Sequence, residues 1–230
     1  MSFKRLILTA ALLISSIAAA FADGTKDDVE VLYKYQFSAE VEYKIIKGLS
    51  VNFSPELRFC EGYDKLLLNA GVEYKMFGCI HLGATYRLDV DRVEGSGSSY
   101  SMSGFGNNYD SEVSHRYAFD VTYKEKFGRF TPSFRVRYNN FTDEDIDDKE
   151  FLRYRAKVDY NIRKCKITPY LSVEAYQDLT ENLLYKMRYA TGFDFDMNKK
   201  SAISLDYKFD FYCLEYKNAN IFSVGYKYKF

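Results

Sequence analysis

Tryptophan is absent from this 230-residue chain, and proline and histidine are scarce, at three and two residues. No apolar run of about 18 residues occurs, which excludes a membrane-spanning helix. Lys+Arg 32 and Asp+Glu 32 cancel, so no excess of one sign points to nucleic acid. With only His81 and His115, imidazole chemistry has little to work with. No spacing of His, Cys, Asp and Glu reads as a metal site, and no cofactor motif is present. Four cysteines, Cys60, Cys79, Cys165 and Cys213, fall at strand ends too far apart for the Cα limit of about 7 Å, so free thiols are expected. What the chain has instead is aromatic residues, with Tyr 22 and Phe 19, in a sequence of mean hydropathy -0.34.

The two ends agree on a destination. Lys4 and Arg5 precede an apolar stretch from Leu6 to Ile17, and Ala20-Phe21-Ala22 supplies a small-residue cleavage site. Residues 1–22 therefore read as a secretory signal peptide, with the mature chain at 23–230. At the other end Phe222, Val224, Tyr226, Tyr228 and Phe230 share one register, and Ser223, Gly225, Lys227 and Lys229 the other. A period of two places these sets on opposite faces of a strand. Alternate aromatics ending on a terminal Phe resemble the assembly signal of bacterial outer-membrane barrels, carried here by Tyr226, Tyr228 and Phe230.

Between the ends the alternation recurs. Segments are expected at about 31–45, 49–59, 65–75, 80–90, 114–124, 130–140, 151–161, 166–177, 183–195, 201–212 and 220–230. Each is close to the 9–11 residues that a tilted transmembrane strand needs. The pattern predicts an all-β fold, a transmembrane antiparallel up-and-down β-barrel of about 10–12 strands. Eleven segments conflict with the even number expected of single-chain bacterial barrels, which makes the first segment the one in doubt. Connections alternate between short ones and longer ones such as 91–113 and 141–150, which orients short turns to the periplasm. Tyr43, Tyr74, Tyr123, Tyr160, Phe195 and Tyr228 recur at one height, as an interfacial aromatic girdle would.

Several stretches carry a family resemblance. They are Arg129-Phe-Thr-Pro-Ser-Phe-Arg-Val-Arg-Tyr138, Phe151-Leu-Arg-Tyr-Arg-Ala-Lys-Val-Asp-Tyr-Asn161, Lys166-Ile-Thr-Pro-Tyr-Leu-Ser-Val-Glu-Ala-Tyr176 and Val224-Gly-Tyr-Lys-Tyr-Lys-Phe230, with Leu57-Arg58-Phe59. Together these resemble an uncharacterised family of bacterial outer-membrane β-barrels, domain of unknown function 2490. Tyr33 and Tyr35 stand where that family commonly has a Trp. The resemblance implies a barrel and transfers no active residue.

The inward register is dense in charge. Arg58, Arg87, Arg116, Arg135, Arg137, Arg153, Arg155 and Arg188 share it with Glu56, Asp120 and Glu174, while Glu42, Glu73, Asp159 and Asp194 fall near the turn side. Such a set is either a basic constriction favouring anions or a salt-bridged filling of a narrow lumen. His115 is a weak catalytic candidate, because the adjacent Ser114 points to the opposite face. The acidic run Asp143–Glu150 lacks the spacing of a calcium loop, and Gly95–Asn108 reads as an external loop.

The expected function is a small outer-membrane barrel, structural or narrowly porin-like, with an arginine-rich lumen. The alternatives are a surface or periplasmic interaction module and an outer-membrane hydrolase acting on lipid or peptide. Expected partners are outer-membrane lipid, lipopolysaccharide and the barrel-assembly machinery, with no nucleic acid, cofactor or metal, and a monomeric state. Residues 23–230 refolded in detergent should migrate faster on a gel unheated than boiled. A random-coil circular dichroism spectrum under every refolding condition would reject the barrel.

Overall fold

In a computed structural model of the chain, residues 30–60, 63–94, 109–142, 150–213 and 217–230 are described. The stretches expected to form a signal peptide, 1–22, and an external loop, 95–108, and the acidic run 143–149 lie outside them. Eleven strands are formed: β1 (Glu30–Ile46), β2 (Leu49–Cys60), β3 (Tyr63–Phe77), β4 (Ile80–Glu94), β5 (Tyr109–Lys124), β6 (Phe130–Thr142), β7 (Glu150–Tyr160), β8 (Ile167–Asp178), β9 (Leu183–Asp196), β10 (Ser201–Tyr212) and β11 (Lys217–Lys229). Each pairs with its sequence neighbour, and β1 closes onto β11 to make one barrel. Gly48 and Gly78, both at positive φ, sit at the tips of the β1–β2 and β3–β4 hairpins, where a Cβ would be strained.

The burial is the reverse of a water-soluble domain. Tyr35, Phe37, Phe119, Val121 and Leu171 are among the many large apolar side chains left exposed, Phe119 at 59%. Buried positions include Gln36, Asn69, Asp89, Glu174, Asp210 and Ser223. Alternation along each strand sends one set outward and the other into the lumen. Only hydrocarbon solvates so continuous an apolar exterior, and closure leaves no unpaired backbone edge in it. This is a transmembrane β-barrel. The aromatic ring at the turn end is in place: Tyr43, Tyr74, Tyr123 and Phe195 face outward, and Tyr160 packs on Phe130 at 5.0 Å.

The doubt about the first segment is resolved in its favour. β1 is a full strand of the wall, paired with β2 over Lys34↔Cys60 to Ile46↔Leu49. An odd count forces one pair of neighbours to run the same way, and that pair is β1–β11. Its contacts keep a constant separation: Tyr35 stacks on Phe222, Ser223 donates to Gln36 across 187 residues, and Lys227 to Glu40 across the same 187. Tyr43 against Phe230 continues the series, and the Phe230 amide donates to the Glu42 carbonyl at 3.0 Å. A constant rather than a falling offset identifies a parallel seam. As a result Val31 and Phe230 lie at opposite rims.

Connection lengths also differ from expectation. One rim carries 47–48, 78–79, 125–129, 161–166 and 197–200, and the other 61–62, 95–108, 143–149, 179–182 and 213–216. The asymmetry resides in 95–108 and 143–149 alone. The other connections of that rim are short because the hairpins continue past the apolar band, with Asp64 opposite Arg92 and Asp91 opposite Glu112. Hydrophobic periodicity fades there, but backbone pairing does not.

The seam is open to a direct test. In a cysteine-free background, Gln36→Cys with Ser223→Cys and Glu40→Cys with Lys227→Cys should each cross-link on oxidation. Cross-linking instead of 36 with 227 and 40 with 223 would show an antiparallel seam.

Candidate functional site

The inward face of β4–β10 is organised by register. Arg87 on β4 lies opposite Arg116 on β5, while Arg135 and Arg137 on β6 lie opposite Arg155 and Arg153 on β7. Like charges facing across a strand pair repel, so each rung needs a carboxylate from a flanking strand. β5 supplies Asp120, directly opposite Arg137 and bonded to its Nε at 3.0 Å and its Nη2 at 2.5 Å. β8 supplies Glu174, opposite Arg155 and contacted by Arg135 Nη2 at 3.2 Å and Arg153 Nη2 at 3.0 Å. Asp89, fully buried on β4, takes Arg116 at 2.7 Å and has Arg87 at 4.0 Å. Asn69 Oδ1 accepts from Arg87 Nε.

The next strands continue the lattice. Arg188 on β9 lies opposite both Glu174 and Asp210, and it binds the Asp210 carboxylate through Nε at 2.5 Å and Nη2 at 2.7 Å. Lys186 reaches the same carboxylate at 2.9 Å. Tyr176 sits among these cations, donating its hydroxyl to Glu174 at 3.0 Å and accepting from Arg153 at 2.9 Å. Arg153 and Lys186 lie over its ring at 4.5 and 4.6 Å from the centroid, within cation–π range. Arg58 pairs with Glu56 at 2.6 Å on β2, completing the arginines named from the sequence.

Among the described residues, the connected network holds Arg87, Arg116, Arg135, Arg137, Arg153, Arg155, Lys186 and Arg188 against Asp89, Asp120, Glu174 and Asp210. Glu56 and Arg58 act on Arg87 from β2, and Asp91 acts on Arg116 from β4, so the lattice extends beyond these residues. Asp178 is also buried near this rim, but its carboxylate accepts from the Thr180 and Glu181 amides. The turn side is different. There Lys227 bridges Glu40 and Glu42 at 2.6 and 3.0 Å, Glu73 holds His81 at 2.6 Å, and Asp206 accepts from Tyr170 at 2.6 Å. Close packing on that side uses small wall residues: a Cβ at Gly83 would meet the Asp120 carboxylate at 2.7 Å.

A cavity of about 240 Å³ opens in the basic half, lined by Arg87, Arg116, Arg137, Arg153 and Lys186 together with Thr85, Ala118, Asn139, Phe151, Tyr176 and Tyr185. No carboxylate lines it. The sequence pattern put the eight arginines in one register and did not name Asp89, Asp210, Lys186 or Tyr176. Asp89 stands two residues from Arg87 in the same register, as Asp210 does from Lys208, and that i,i+2 spacing was the available signal. His115 points outward, its Nδ1 2.7 Å from the Tyr86 hydroxyl, on the face opposite the lumen arginines. The four cysteines are free.

Glu174 is the charge on which Arg135 of β6 and Arg153 of β7 converge, and its side chain is 6% exposed. Glu174→Gln should cost about 3–5 kcal/mol, the penalty for leaving a buried charge without its partner. Urea unfolding in detergent would register this as a lowered midpoint. Adding Arg153→Met should recover part of the loss, whereas an unchanged midpoint in the single variant would show that the lattice does not depend on Glu174.

Comparison with known proteins bears on the family and not on the site. No curated protein matches the chain. Among solved structures, the beta domain of the Bordetella autotransporter Brka aligns with a TM-score of 0.45 and 13% identity, covering 79% of this chain and 82% of that one. The profile of a family described as a protein of unknown function, DUF2490, matches residues 34–212, from β1 to the end of β10. With more than half its length matched, the chain belongs to the DUF2490 family.

Proposed function

We propose that this protein is a bacterial outer-membrane barrel whose lumen is a narrow, anion-favouring path. The observation that carries the reading is the cavity bounded by five cations and no carboxylate. A lattice built only to fill a lumen tends toward charge balance, because each unmatched buried charge costs several kcal/mol. The lining of this cavity is one-sided, because the carboxylates that pair with its cations lie outside it. A basic ring in a constriction of low dielectric concentrates anions and repels cations. Exported by its N-terminal signal, the chain is delivered to the barrel-assembly machinery by its aromatic last strand. It then sits as a monomer among outer-membrane lipid and lipopolysaccharide.

The path is narrow. Asp89 and Asp210 are essentially without solvent contact and Tyr176 is 8% exposed, so side chains occupy most of the cross-section. Single-channel recordings of the refolded protein should therefore show small steps with a permeability preference for chloride over potassium. Arg87→Gln with Arg116→Gln should lower that preference several-fold without abolishing insertion. Silence from protein shown to be inserted would make the arginines lumen filling. Cation preference would reject the reading outright.

A further inference from the structure

The basic cavity has a second side that an ion filter does not require. β8 and β9 fall out of register between Tyr176 and Gln177: Tyr176 pairs with Lys186 and Gln177 with Leu184, so Tyr185 is the extra residue of a bulge. Strict alternation turns only one of two adjacent residues inward, but the bulge lets both Tyr185 and Lys186 line the cavity. The Tyr185 ring lies 5.6 Å from Phe151 and 5.6 Å, edge-on, from Tyr212. Behind it Tyr212, Ala219 and Ile221 form a buried apolar cluster on which Tyr185 and Leu32 pack. Aromatic side chains thus line the same chamber as the arginines.

We infer that this chamber binds a small organic anion made of one flat ring bearing a phosphate, sulfate or carboxylate group. The inference rests on the anion-favouring reading of the lumen and adds the chemical class of the ligand. The charged group is drawn by the positive charge of Arg116, Arg137 and Arg153, which line the cavity while they stay paired with Asp89, Asp120 and Glu174 behind it. The ring lies against Phe151 and Tyr185 in offset or edge contact. Size agrees: an apolar cavity of about 150 Å³ accommodates benzene, and the larger volume here leaves room for an anionic substituent but not for a dinucleotide. Bulges re-aim side chains beside functional sites, and this one places an aromatic residue where the ladder alone would face it toward lipid.

The test is calorimetry on the refolded mature chain in detergent with three probes: phenyl phosphate, inorganic phosphate and phenol. Phenyl phosphate should bind about tenfold or more tightly than inorganic phosphate, and phenol should bind weakly or not at all. Phe151→Ala with Tyr185→Ser should erase the advantage of phenyl phosphate while inorganic phosphate still binds. Arg116→Gln with Arg153→Gln should weaken both anions. Equal binding of the two phosphates, or phenol binding as tightly as phenyl phosphate, overturns the inference from the unaltered protein alone. An advantage that survives the aromatic double variant, in protein still showing heat-modifiable migration, overturns it too. Ion selectivity measured on the same preparation separates the two levels: chloride preference without ring preference rejects this inference only, and loss of both rejects the path as well.

Discussion

Arginines that face arginines across neighbouring strands are the constraint on which the lumen depends. The rungs Arg135/Arg155 and Arg137/Arg153 set four like charges side by side on β6 and β7. No residue of those two strands neutralises the rungs. Asp120 on β5 and Glu174 on β8 do so from either side, and Glu174 is in turn matched to Arg188, itself clamped by Asp210. The charge lattice therefore exists only because the sheet brings seven successive strands, β4 to β10, into one curved surface. Its order runs around the wall rather than along the chain.

The exterior obeys the opposite rule. There, aromatic and branched residues face hydrocarbon, and the backbone hydrogen bonds close on themselves. Closure with eleven strands leaves one parallel seam, which is secured on its inner face by Lys227 between Glu40 and Glu42 and by Gln36 with Ser223. On its outer face Tyr35 stacks on Phe222 and Tyr43 meets Phe230. The aromatic residues of the last strand thus form the lipid-facing half of the joint that completes the barrel.

Much of this was legible in the sequence, because period-two alternation assigns a face without knowledge of partners. It placed Arg58, Arg87 and Arg188 with Glu56 and Glu174 on one side and Tyr226 and Phe230 on the other. It also located the turns at Gly48 and Gly78. It failed where alternation carries no information. The hairpin ends beyond the apolar band, such as Tyr63 and Asp64, were read as loop because their polar side chains mask continued pairing. The first strand was doubted on a counting rule that the parallel seam sets aside. Tyr185 was invisible as a lumen residue, since only the register skip beside Tyr176 brings it in line with the cavity.

The sequence by itself determined the class of molecule: strands of membrane-spanning length, an aromatic outside, a charged inside and a family. Those properties are local, since they follow from which residues recur every second position. Which charge meets which was decided by the tertiary structure alone. Sliding one strand by two residues preserves every face and every hydrophobic pattern, yet it changes each cross-strand partner. The pairing of Arg137 with Asp120, the convergence of arginines on Glu174 and the carboxylate-free cavity therefore required the register and the closure of the barrel.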